Sequence, residues 1–427
     1  MDQQAIGLGW SGNTLNTVPF RHHALFTTGD YQYGSYYDAE QQLTVFQREI
    51  STNEILSQVL EGPHDLADAH NATSLAMDRL GVLHISYGQH NSRLRYRRSV
   101  QPHSILSWSD ELPMTGSRES SLTYPTFVMY QDDWEAPDLL FLYRDGTSGN
   151  GQACIKWYSS RSDEWSDIEP CALSGIGLGP WSSSPYWNTP VAGPDSRLHL
   201  GFTWRTQSVG ESGLINNINI DYAYSDDFAA TWMTSRGKQL QLPITPVNSE
   251  TVLPISPASN LINQSGAAID SAGFPHYVFY SDDLSGIPQY QHLWFDGEGW
   301  RHSYLTARVE PFKLEGGGTL QLPISRPIIL LDQRDIAYVL FRGDLTGDKL
   351  AVLVLMPPDY QPSRPPIILW DSPLDFAEPT VDLLRWQADG ILSMLVQRNS
   401  QPNHDGDIIP IHDPIYLVEW DVSQLAE

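Results

Sequence analysis

Apolar residues in this chain come in short runs, and the runs recur in a fixed order. A polar or ring-bearing residue is followed by an apolar strand. An Asp- or Gly-bearing turn comes next, and then a second strand ending in an aromatic. The pattern is legible in HHALFTTGDYQYGSYYD, HNATSLAMDRLGVLHISYG, YPTFVMYQDDWEAPDLLFLYRDG and YWNTPVAGPDSRLHLGFTWR. It continues in NQSGAAIDSAGFPHYVFYS, RPIILLDQRDIAYVLFRGD and EPTVDLLRWQADGILSMLVQ. Further strand-like runs follow, such as SRLRYRRS, ACIKWYSS, NINIDYAYS and KLAVLVLM. Seven units of roughly 60 residues, each with about four strands and no helical period between them, predict a seven-bladed β-propeller. The expectation is therefore an all-β chain, 1–427, forming one domain of four-stranded antiparallel blades. A pair of β-sandwiches is the alternative. It is disfavoured because the units keep one order from residue 20 onward with no linker-like break.

SDDFAATW, Ser225 to Trp232, resembles the Asp box of propeller hairpins, with Ala229 where Gly is usual. That motif is a turn staple and carries no chemistry.

Composition agrees with strands and turns: 32 Gly, 30 Pro and 11% aromatic residues against only 25 Lys and Arg. A formal net charge of −26 excludes nucleic acid as a partner, since the cationic footprint for phosphate is missing. An anionic polysaccharide stays open if local arginines reverse the field inside a cleft. No apolar run reaches the roughly 18–20 residues that span a bilayer, so no membrane partner is expected. A monomer is expected. No secretory leader is read before the first strand, which leaves a cytosolic protein or the mature part of a secreted one. Cys154 and Cys171 fall opposite each other if their segment folds as a hairpin about Arg161–Glu164. They are then a disulfide or two half-buried thiols, and a disulfide would imply an oxidising compartment. Secretion is the expectation.

In a propeller, the start of each inner strand and the end of the second strand open on the same face. The starts carry His22 or His23, His70, Tyr124, Tyr186, Asn263, Arg326 and Glu378. The ends carry His90, Arg144, Arg205, Ser281 and Arg342. Imidazoles, phenols and guanidiniums thus converge on one axial cleft. His84, alternating with Leu83 and Ile85, reads instead as a structural strand residue. Singly, His70 and His90 read as turn histidines, Tyr124 as a filler before Pro125, and Arg144 as a partner of Asp145. Zinc by spacing is not indicated, because no Cys partner or HExxH helix accompanies the histidines. NHDGDIIPIHDP, Asn403 to Pro414, reads as a solvated loop, with a cation as the lesser alternative. The sequons at Asn71 and Asn263 sit at cleft positions and are expected to be unmodified.

With these motifs in view, the chain resembles the BNR-type propeller polysaccharide lyases, the group of the ulvan lyases and fungal L-rhamnose-α-1,4-D-glucuronate lyases. The likeness is carried by DAHNATSLAMDRLGVLHISYGQH, SLTYPTFVMY, LLFLYRDGTSGNG, PYWN and ISRPIIL, in blade order. It implies cleavage between rhamnose and O4 of glucuronic acid, in gum-arabic-type or ulvan-type glycans. The resemblance makes His70, His90 and Tyr124 the proton-transfer residues and Arg144 the group that neutralises the uronate. Tyr186, with Arg205, Arg326, His22 and Asn263, would contact substrate. No cofactor is required for this chemistry, and a structural calcium or zinc ion is left open. The chemistry needs these residue types. A guanidinium must bind the carboxylate, a base must reach C5, and an acid must protonate the leaving oxygen. Tyrosine serves as that acid or, when depressed by Arg144, as a base. A sialidase, which needs an arginine triad, and a non-catalytic sugar-binding propeller are the rivals.

Overall fold

The strands are of two kinds, and their burial says where each lies. Leu139–Thr147 opens with six consecutive buried residues, and Pro275–Asp282 with seven. Such strands are covered on both faces, as a sheet stacked between two others requires. Outer strands differ: in Trp300–Tyr304 only Ser303 is buried, and Ile55–Leu60 is similarly wet. The computed structural model describes residues 2–130, 137–193, 196–403, 408–422 and 425. Its seven small antiparallel sheets form a seven-bladed β-propeller.

The first blade runs Leu25–Thr28, Tyr31–Tyr37, Leu43–Glu49 and Ile55–Leu60, from the axis outward. The fourth, fifth and sixth repeat that order, with inner strands Ser183–Trp187, Ala267–Ile269 and Ile328–Leu331. Adjacent blades meet closely. A Cβ on Gly201 of the fourth would lie 2.4 Å from the Tyr277 ring of the fifth, so only glycine fits there.

Three features depart from seven equal units. The seventh blade comprises Thr380–Val381, Ile391–Val396, His412–Asp421 and, as its outer strand, Asp2–Trp10. Residues 2–10, outside the repeat read from the sequence, thus close the ring. The same blade carries a helix, Leu383–Asp389, where a plain turn was expected. Asp382 caps its start by accepting from the Arg385 N–H, and Gly390 ends it in the left-handed region.

The second blade keeps only Thr73–Met77, Leu83–Tyr87 and Tyr96–Arg98, extended by a bridge between Ser99 and Trp108. The segment His90–Ser92 leaves it and pairs with Leu122–Met129, the inner strand of the third blade. His90 therefore does not end the second strand of its own blade, as the repeat predicted. Gly88 turns the chain at φ +65°, and the buried Gln89 amide donates back to the Arg95 carbonyl, directing His90 across the gap.

The Asp box is built as a staple. Asp227 accepts from the Thr231 N–H and hydroxyl, Ala229 takes φ +71°, and Trp232 is fully buried. Cys154 and Cys171 form a disulfide across the hairpin of Asn150–Ser159 and Glu164–Ser174. Residues 404–407 of the Asn403–Pro414 segment lie outside the described residues.

Candidate active site

The axial cleft, about 680 Å³, opens where the inner strands begin. His70, His90, Tyr124, Arg144, Tyr186, Arg205, Asn263 and Arg326 all line it.

His70 follows a turn in which Asp68 accepts the His70 backbone N–H at 2.9 Å. Its ring stacks on His90, with centroids 4.2 Å apart and planes 21° apart. Both Nδ1 atoms meet the Asp68 carboxylate: His70 at 2.7 Å on one oxygen, His90 on the other in a still shorter contact. Burial pulls His70 down to about 4, outweighing the upward pull of Asp68, so the ring is neutral at neutral pH. Burial would raise the Asp68 carboxyl, but the two imidazoles hold it well below the usual carboxylate range. Asp68, unmarked by the repeat, is a residue that sequence reasoning missed. Its one signal is the Asp-x-His spacing of an Asx-turn.

Tyr124 sits at a bulge between Thr123 and Thr126 with φ +60°. For a tyrosine that precedes proline this is a genuine outlier, and such strain gathers at functional sites. Its ring lies 5.9 Å from His70 and 5.7 Å from Tyr186. Burial drives the Tyr124 hydroxyl well above the ordinary phenol value, despite Arg144, Arg205 and Arg326 nearby. Arg144 does pull the phenol down, but less than burial pushes it up. Arg144 Nη1 donates to the Tyr186 hydroxyl at 3.1 Å. For Tyr186, burial pushes up, but Arg205 and Arg144 together bring the phenol below its ordinary value.

Arg144 is 1% exposed. Its Nη2 donates to Asn91 and Thr123, and its buried Nε has no partner. No carboxylate among the described residues lies in ion-pair range of it; Asp145 faces Arg118 instead. Arg205 is similar, bonded to the Asn217 and Asn263 side-chain oxygens, with its guanidinium 4.7 Å from the Tyr186 ring centre. Arg326 differs: Glu378 neutralises it at 2.7 Å. In a chain of net charge −26, Arg144 and Arg205 make one cationic sector, ready for a carboxylate.

His22 lies elsewhere. It lines a second cavity of about 590 Å³ with Met129, Ile269 and Leu331, residues from the far ends of inner strands. Phe20 takes the cleft position in its place, stacked on His70 and edge-on to Tyr124. Arg342 is also drawn away, clamped on the carbonyls of Leu322, Pro323 and Ala377. His84 is fully buried between the Tyr96 hydroxyl and Asp78, and does not line the cleft. Asn71 and Asn263, the two sequon asparagines, are 6% and 5% exposed.

Asp68, His70 and His90 offer potential metal ligand atoms within 4.8 Å of one another. Two ligands of a tetrahedral zinc, each about 2.0–2.1 Å from it, lie roughly 3.3 Å apart. The His70–Asp68 separation of 2.7 Å is that of a hydrogen bond.

No curated protein matches the chain by sequence. Among solved structures, an ulvan lyase of family PL25, bound to -[GlcA(1-4)Rha3S]-, superposes with a TM-score of 0.73 at 14% identity, covering 99% of both chains. The polysaccharide lyase Uly1 superposes with a TM-score of 0.68 at 15% identity, covering 93% of this chain and 89% of the other. These likenesses establish a shared fold. The family model for BNR repeat-containing members matches residues 31–308, about two thirds of the sequence. The chain belongs to the BNR repeat-containing family.

Proposed function

We propose that this protein is a polysaccharide lyase that cleaves, by β-elimination, the bond between rhamnose and O4 of a glucuronic acid residue. The observation that carries the reading is Arg144, a buried guanidinium without a carboxylate partner among the described residues, beside two stacked imidazoles and a strained tyrosine. Burying an unpaired cation is costly, and a substrate carboxylate removes the cost. Arg144, with Arg205 behind it, takes the uronate and stabilises the charge that builds as C5 loses its proton. The imidazole pair supplies the base, since His70 is held neutral. The C5–H electrons form the C4–C5 double bond as the C4–O4 bond breaks. Tyr124, kept protonated by burial, delivers a proton to the departing oxygen. Every step is assigned to the chain's own residues. The ulvan lyase neighbour, bound to a uronate-containing sugar, supports an anionic polysaccharide substrate. The disulfide supports secretion.

The test is absorbance of the unsaturated uronate, with gum arabic and ulvan offered side by side. A rising signal on either supports elimination, and the better substrate names the glycan. Sugar release without that signal would mean hydrolysis. A sialidase-like triad is disfavoured by Arg326, whose charge Glu378 already neutralises. Binding without turnover of either glycan would leave a sugar-binding propeller.

A further inference from the structure

We propose that Asp68 is the positioning residue of the cleft, a single carboxylate that accepts Nδ1–H from both His70 and His90 and thereby presents both Nε2 atoms, unprotonated, to the substrate. The inference rests on the lyase reading for its consequence, though not for its geometry.

An imidazole has two ring nitrogens, and the hydrogen bond made by one sets the tautomer of the other. Both Nδ1 atoms here meet Asp68, one on each carboxylate oxygen. An ionised carboxylate only accepts, so both Nδ1 atoms must carry hydrogen, and in a neutral ring so held Nε2 is the bare nitrogen. The two nitrogens lie on opposite sides of the ring, so each Nε2 points away from Asp68. His70 and His90 line the cleft while Asp68 does not, which places the carboxylate behind them. Thr319 adds a weaker contact to His70 Nδ1 at 3.2 Å, and its hydroxyl can accept there.

The carboxylate is itself held. Its backbone carbonyl accepts from the Asn71 N–H, the Asn71 side chain donates to the Asp65 carbonyl, and the Tyr37 hydroxyl donates to the Asn71 carbonyl. His90 arrives from the other side on its crossing strand. The titratable groups facing this trio are Tyr124 and Arg144, and neither replaces Asp68 as an acceptor for Nδ1–H. Two blades thus deliver two bases to one anchor, which explains why His90 leaves its own blade.

Asp68→Asn tests this sharply. An amide accepts at its oxygen but donates at its nitrogen, so one of the two rings must turn its Nδ1 into an acceptor and move its hydrogen to Nε2. In ¹⁵N-histidine-labelled protein, the wild type should show His70 and His90 both as Nδ1–H tautomers. Asp68→Asn should convert one of them, and Asp68→Glu should retain both. In the uronate assay, Asp68→Asn should lower kcat by about 10²-fold or more with KM little changed. The acid limb of its pH profile should move to lower pH, because the contact that raised His70 is gone. Asp68→Glu should recover part of the rate.

If the tautomers are as described but the wild type makes no unsaturated product, the lyase reading fails and the positioning inference stands. The inference is overturned if either wild-type ring carries its hydrogen on Nε2. It is overturned equally if Asp68→Asn keeps both tautomers with a wild-type pH profile. A stoichiometric shift of both rings on adding zinc ion would also overturn it, by making the trio a metal site.

Discussion

Arg144 shows how one side chain can serve activity against stability. A guanidinium buried to 1% exposure, with its Nε unpartnered, is an unfavourable thing to fold around. Replacing it with alanine should therefore leave the melting temperature unchanged or raise it. Turnover should meanwhile fall by a factor corresponding to about 3 kcal/mol or more of transition-state binding, read from kcat/KM. Arg144→Lys should recover little, because an ammonium cannot grip a carboxylate with two parallel bonds. His84 is the converse case. It fills a packed site against Tyr96, Tyr158 and Trp165, with hydrogen bonds to Tyr96 and Asp78. His84→Ala should cost about 2–4 kcal/mol in denaturant unfolding and spare the kcat of the folded fraction. The convergence of His70, Tyr124, Arg144, Tyr186, Arg205, Asn263 and Arg326 was legible because the repeat sets their phase on the strands; His90 reaches the same cleft by a crossing segment that the repeat did not give. His22 was not, because an irregular stretch precedes the first inner strand and sends Phe20, two residues earlier, into the cleft. Asp68 was hidden for another reason: its role exists only once two histidines from different strands meet.

Among the elements, the hairpin of Asn150–Ser159 and Glu164–Ser174 is the outer half of the blade that carries Tyr124 and Arg144. Its disulfide closes a loop of 17 residues, for which chain entropy gives roughly 3 kcal/mol. Changing both cysteines to alanine should lower unfolding free energy by about that amount, measured in denaturant. The uronate assay should change little, since Cys154 and Cys171 do not line the cleft. The strand-level pattern was readable wherever burial on both faces wrote continuous apolar runs. It was unreadable for the helix Leu383–Asp389, whose LLRWQAD is too short to display a helical period. It was unreadable again for His90–Ser92, three residues whose pairing is decided by the neighbouring blade. The even spacing of the repeat concealed both.

For the molecule as a whole, buried histidines set the response to acid. Burial pulls His23 down to about 4 and lowers His84, His276 and His292 as well. The unfolded chain, with histidines near 6.5, binds protons that the folded one refuses. Their contribution is thus fully present above pH about 6.5 and is lost as pH falls toward 4. Asp221, pushed up to about 6 by burial, and Asp382, also raised by burial, act in the opposite sense but are two groups against several. The melting temperature should fall steadily over that interval, and a flat profile from pH 7 to pH 4 would contradict the assignment of neutral buried rings.

The seventh blade has a consequence for how the protein is made. Asp2–Trp10 emerges from the ribosome early, yet its pairing partner is His412–Asp421, and Ser11 and Asp413, in contact at the join, are 402 positions apart. Throughout synthesis that early segment has no strand to join, and its unpaired amides invite foreign chains. The ring locks only when the late segment arrives, so six blades can be assembled around a cleft whose walls are not yet fixed. Folding of this protein's scaffold is in that sense a race between one long-delayed handshake and every other edge in the cell.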